Sequence, residues 1–159
     1  MRFLLLLTLL AGMAWAKGSV EVRGTSTLHD WKMVSNAVTV EMQKDGGAIE
    51  ALTVSLPIES LKSGDDAMDE NAYEAFDADP ETPITFTLFT QRPDGSLDGL
   101  ITIGKHEKRV IVMPDSVENG VIRGSFKEKM SSFGVKPPTF LFGVMRTGDA
   151  IEIRYRVSE

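Results

Sequence analysis

Side chains able to do chemistry are scarce in this 159-residue chain, which holds two histidines, His29 and His106, and no cysteine. The missing thiols exclude a cysteine nucleophile, cysteine-ligated zinc, disulfides and a cysteine-linked lipid anchor. His29 stands in "TLHDW", directly before Asp30. A catalytic imidazole needs a partner within hydrogen-bond reach, and neighbours along a strand point to opposite faces unless the strand bulges. His29 therefore reads first as a structural residue, next as a turn or mouth residue that hydrogen-bonds a ligand head group, and last as a general base. His106 lies in the basic run "KHEKR" at 105–109 and reads as part of a solvated turn. Two isolated imidazoles make a poor zinc site. No nucleophile elbow, H-E-x-x-H or glycine-rich phosphate loop occurs. The expectation is a protein that is not an enzyme and uses neither metal nor cofactor.

Carboxylates are more abundant, and they concentrate in "SGDDAMDENAYEAF" at 63–76. Ser63 can cap a helix in which Asp65, Asp66, Asp69 and Glu70 occupy the first two turns, near the positive end of the macrodipole. A calcium loop would need alternating oxygen ligands, a central glycine and a closing glutamate, which this segment lacks. Tyr73 and Phe76, three apart, share a face, with Met68 able to join them. Such a helix, acids outward and aromatics inward, lies either over a barrel mouth or against the outside of a sheet.

The elements that must position these residues are mostly strands. "SVEVRG", "AVTVEM", "IEALTVSLPI", "ITFTLFTQ", "LDGLITI", "RVIVMP", "VIRGSFKEKM", "TFLFGVM" and "AIEIRYRV" carry period-two or near-continuous apolar patterns. Turn signals separate them at "KDGG", "PDG", Asn119-Gly120 and Thr147-Gly148-Asp149. About eight strands are expected by these rules. Only 63–76 is long enough for a crossover, so the sheet is expected to be antiparallel. Closure into a barrel removes exposed edges, and a barrel of about eight strands holds either its own side chains or one ligand. A two-sheet sandwich is the competing architecture.

The first residues, "MRFLLLLTLLAGMAWA", combine one cation at Arg2, an apolar run and an A-x-A site at Ala14–Ala16, the pattern of a secretory signal. Residues 1–16 are expected to be removed, leaving one domain over 17–159 with no stable membrane anchor, periplasmic or secreted. The formal charge of −6, without a local basic stripe, argues against nucleic acid as a partner.

The ordered series "VSLPIESLKSG", "MDENAYEAFDADPETPITF", "GLITIGKHEKRV" and "SSFGV" resembles the YceI-like family of exported polyisoprenoid-binding proteins with a lipocalin-like barrel. Within it, Asp69-Glu70, Phe76-Asp77 and Pro83-Ile84-Thr85-Phe86 match the family's acidic, aromatic and P-x-I-x-F signature. Gly104-Lys105 stands where the family usually has His-Gly, Arg109 where a proline is frequent, and Met130-Ser-Ser-Phe133-Gly134 in place of R-x-x-F-G. The resemblance implies an apolar tunnel holding a long isoprenoid or acyl chain without chemistry on it.

Candidate ligand-contacting residues are Trp31, Tyr73 and Phe76 near a mouth. Along the strands they are Ile84, Phe86 and Leu88, then Ile101 and Ile103, then Phe140 and Phe142, with Phe133 and Tyr155. The leading expectation is an exported carrier of a polyisoprenoid, isoprenoid quinone or fatty-acyl chain. A barrel filled by its own side chains, whose outer face recognises a protein or forms a homodimer, is the alternative, and a His29-dependent enzyme is a distant third.

Overall fold

The computed structural model describes residues 17–140 and 143–159. The expected signal peptide, 1–16, and the candidate Phe142 lie outside the described residues. Of Phe140 only the backbone is described.

Alternation and turn chemistry set the elements. The strands are β1 (Gly18–Ser26), β2 (Trp31–Ser35), β3 (Thr39–Asp45), β4 (Ala48–Pro57), β5 (Pro83–Gln91), β6 (Leu97–Ile103), β7 (His106–Val112), β8 (Ser116–Glu118), β9 (Val121–Lys129), β10 (Thr139–Phe140) and β11 (Met145–Ser158). One α-helix, α1 (Asp66–Ala75), interrupts them, with short 3-10 turns at Ile58–Ser60 and Met130–Phe133. The hairpin turns fall where glycine supplies positive φ. Gly46 and Gly47 lie at 56° and 90°, and Asn119 and Gly120 at 53° and 75°, as tight hairpins require.

The fold is all-β and antiparallel, as expected, in two sheets. One runs β2-β1-β11-β9-β8, with β10 paired to β11, and the other β3-β4-β5-β6-β7. Joined through the connections 36–38 and 113–115, these two orders make one circle, β1 to β11 and back. The circle is that of a barrel, but neither β2 and β3 nor β7 and β8 form a ladder, so the expected continuous closure is corrected to two sheets with two seams. Each seam has a local cause. Pro114 has no N–H to extend β7 toward β8, and the next amide, Asp115, bonds back to the Arg123 carbonyl at 2.8 Å. At the other seam β2 spends its free edge on the strap before the helix, Val34 and Lys62 exchanging both backbone bonds at 2.9 and 3.1 Å.

Two further expectations are corrected. Thr147-Gly148-Asp149 is not a turn but part of β11, which pairs with β10 earlier, through Phe140–Met145 and Thr139–Arg146. Glycine is needed at 148 for close approach, since a Cβ there would stand 2.4 Å from Thr25 Oγ1. Residues 106–109 of the basic run belong to β7, not to a turn.

One buried cluster runs through the interior of the molecule. There Val38 and Ile122 are wholly buried, with Ile49, Leu52, Leu97 and Val157 around them.

Candidate ligand-binding site

Elsewhere in the interior, inward residues of the two sheets do not meet. Val20, Val22, Ile84, Phe86, Ile101, Phe126 and Ile153 remain half-buried although they line the interior. The space they enclose is a cavity of about 360 Å³ and a smaller one of about 110 Å³. Both are walled by Val20, Leu56, Ile84, Ile101, Phe126 and Ile153, so the two adjoin. The larger is bordered by Ser26, His29, Asp65, Ala67 and Pro138, which places its mouth between the loop after β1 and the start of α1. The smaller reaches the buried Leu97, Val112 and Ile122. Together they make an apolar interior space of two adjoining cavities.

Three aromatic rings widen this lumen by lying on glycines rather than projecting across it. A Cβ on Gly24 would stand 2.2 Å from the Trp31 indole, one on Gly99 2.6 Å from Phe86 Cζ, and one on Gly124 2.4 Å from the Tyr155 hydroxyl. Gly24 and Trp31 are direct cross-strand partners, as are Gly124 and Tyr155. Cross-strand glycine lets an aromatic fold flat against the wall.

Helix α1 forms the lid side of the mouth, contributing Met68, Ala72, Tyr73, Ala75 and Phe76 to the larger cavity. Asp65, not Ser63, is the N-cap, its carboxylate accepting from the amides of Ala67 and Met68 at 3.0 and 3.2 Å. Ser63 serves Asp69 instead, donating from its amide and hydroxyl at 2.9 and 2.6 Å. Asp69 is thereby buried, against the expectation that the acids all face outward. Tyr73 donates to the carbonyls of Leu61 (2.7 Å) and Glu59 (3.1 Å), pinning the helix to the strap, and burial raises its phenol pKa.

The helix ends on Phe76, whose ring meets that of His106 edge-on with centroids 6.0 Å apart. His106 is not the solvated residue expected, since its side chain is 12% exposed. Its Nδ1 donates to the Phe133 carbonyl at 3.0 Å, and its Nε2 lies 3.5 Å from Asp77 Oδ2. Lys105, and then His106, hold the Asp77 carboxyl below its usual range. This cluster fastens the end of α1 to the start of β7. His29 is exposed at the mouth, its Nδ1 2.8 Å from the Asp30 carbonyl oxygen. Among the described residues no group of three or more metal-ligating side chains converges.

Trp31, Tyr73, Phe76, Ile84, Ile101, Ile103 and Phe133 line the larger cavity, and Phe86 and Tyr155 the smaller. Leu88 lines neither and packs in the core at 9% exposure. The backbone of Phe140 pairs with Met145, and it is Met145 that faces the lumen, while Val144 in the turn is exposed. Sequence reasoning passed over Val20, Val22, Met33, Phe126, Ile151 and Ile153 as lining residues. The period-two alternation in β1 and β11 was the signal that could have found most of them.

No family model matches the chain, and no curated protein matches it significantly by sequence. Solved structures do match. BcnA of Burkholderia cenocepacia superposes with a TM-score of 0.73 at 17% identity, over 89% of this chain and 96% of that one. A mutant of the Campylobacter jejuni YCEI protein, crystallised with a monobromobimane guest, gives 0.55 at 19% identity, over 77% and 81%. The fold of this chain is YceI-like.

Proposed function

We propose that this chain, whose fold is YceI-like, is an exported, non-catalytic carrier that shelters a long-chain amphiphile. The single observation carrying this reading is the pair of adjoining apolar cavities between the sheets, the larger bordered by α1. Burial of each methylene contributes about 0.8 kcal/mol. Roughly twenty of them therefore offset an association cost of order 4–15 kcal/mol. A polyisoprenoid, isoprenoid quinone or fatty-acyl chain supplies that length. Export to the periplasm or medium is supported by the leader pattern of residues 1–16, and no helix among the described residues is long and apolar enough to cross a membrane.

Ala72 on α1 gives the cleanest test, because it lines the larger cavity and sits outside both sheets. Ala72→Phe fills lumen space without cutting a strand ladder. The expected result is a folded protein that takes up a twenty-carbon prenyl alcohol at least about tenfold more weakly, a change of about 1.4 kcal/mol. Unchanged uptake would oppose the lumen as the binding site. The dimer reading draws on exposed Phe89, Ile111 and Met113, and light scattering of the purified chain decides it, with a monomer expected.

A further inference from the structure

The residues that line both cavities form a belt between them, and each sheet contributes to it. Val20, Phe126 and Ile153 come from β1, β9 and β11, and Leu56, Ile84 and Ile101 from β4, β5 and β6. Phe126 is the one aromatic of the belt; every other ring lining the interior borders either the larger cavity or the smaller, not both.

The setting of this ring differs from that of its neighbours. Trp31, Phe86 and Tyr155 each lie against a glycine and so fold onto the wall. Phe126 has Ile153 as its cross-strand partner on β11, a branched side chain of the same belt. Directly opposed residues of an antiparallel pair share a face, with Cβ atoms about 4.5–5.5 Å apart, so Ile153 occupies the place into which the ring would fold. Tyr155, held over Gly124, packs on Phe126 at 57° with centroids 6.3 Å apart. With both of these places on β11 taken, the ring stands out from its sheet between the two spaces, half-buried.

The two spaces differ in size. A methylene takes up about as much room as a water molecule, roughly 30 Å³. The larger cavity, about 360 Å³, therefore matches a run of about twelve carbons, and the smaller, about 110 Å³, about four more.

We propose that Phe126 is a specificity-determining residue that sets the length of chain the interior accepts. A chain of up to about twelve carbons ends against the ring. A longer one reaches the smaller cavity only by turning the ring into another staggered position, which offsets part of the gain from the added methylenes. This rests on the carrier reading above.

Straight 1-alkanols of about 8 to 18 carbons, spanning the lengths that the two volumes imply, test this by displacing the fluorescent probe N-phenyl-1-naphthylamine from the protein. Wild-type affinity is expected to rise about fourfold per added methylene up to about twelve carbons, and by less than about twofold per methylene beyond that break. Phe126→Ala is expected to carry the steep rise on to about sixteen carbons. Phe126→Leu is expected to act in the same direction and covers a Phe126→Ala protein that does not fold. Val54→Phe, which fills the smaller cavity alone, is expected to leave the wild-type break in place and, combined with Phe126→Leu, to bring that variant's break back to the wild-type length. A break at one length in wild type and folded Phe126 variants, or a wild-type rise that runs unbroken through about sixteen carbons, would overturn the role of Phe126 while leaving the carrier reading standing. Failure of every alkanol to displace the probe would overturn both.

Discussion

Asp98 shows how single residues hold a sheet together on its outer side. Its carboxylate is 3% exposed, because Arg109 grips both oxygens at 2.8 and 2.7 Å and Arg92 adds a contact at 3.2 Å. The Arg109 guanidinium in turn covers Phe89, 5.6 Å from the ring centre. The guanidinium of Arg109, ahead of that of Arg92, holds the Asp98 pKa down to about 2, below its unfolded value near 3.9. A carboxyl depressed in this way stabilises the fold fully above pH ~4, and its contribution is lost as pH falls through about 2. Asp98→Asn is therefore expected to lower stability at neutral pH and to flatten the acid limb of a stability-against-pH curve between about 4 and 2. An unchanged acid limb in denaturant titrations would show that the cluster does not contribute. This pairing was not legible in the sequence. Asp98 and Arg109 become diagonal neighbours only through the β6–β7 register, in which Asp98 faces Ile111 and Arg109 faces Leu100.

Among the elements, α1 does most to define the mouth, and its seating is local. The sequence allowed the helix, its acidic first turn and the inward set Met68, Tyr73 and Phe76 to be recognised, because each follows from spacing along one segment. It did not separate Ser63 from Asp65 as cap, since that choice depends on Asp69 drawing the Ser63 hydroxyl away. Asp65→Ala is expected to cost about 1 kcal/mol in urea unfolding. Tyr73→Phe, which strips the shared donor from Leu61 and Glu59, is expected to cost about 1–2 kcal/mol. Equal stability of both variants with the wild type would contradict the assigned anchors. Hairpin turns were equally legible at Gly46-Gly47 and Asn119-Gly120, where positive φ demands those residue types. β2 was missed because "WKMVS" is short and its partner is β1 across a loop. Thr147-Gly148-Asp149 misled because glycine serves close packing there as readily as a turn.

At the scale of the whole molecule, the strand order of a barrel is kept while two seams separate the sheets. The all-antiparallel class was legible from the many short alternating strands and the single crossover-length segment. The seams were not, because they depend on where the chain changes sheets, at 36–38 and at Pro114. Nor was the division of the interior between packed core and cavity, since inward Leu88 and inward Phe86 look alike in a pattern, yet one packs and the other lines the space. The apolar interior as a binding space is the central claim, and native mass spectrometry of residues 17–159, purified without detergent and followed by organic extraction, tests it most directly. The account predicts a stoichiometric adduct that extracts as a long-chain lipid, or one acquired on incubation with a prenyl alcohol. A bare polypeptide mass that stays unchanged after incubation with isoprenoids and fatty acids would contradict it.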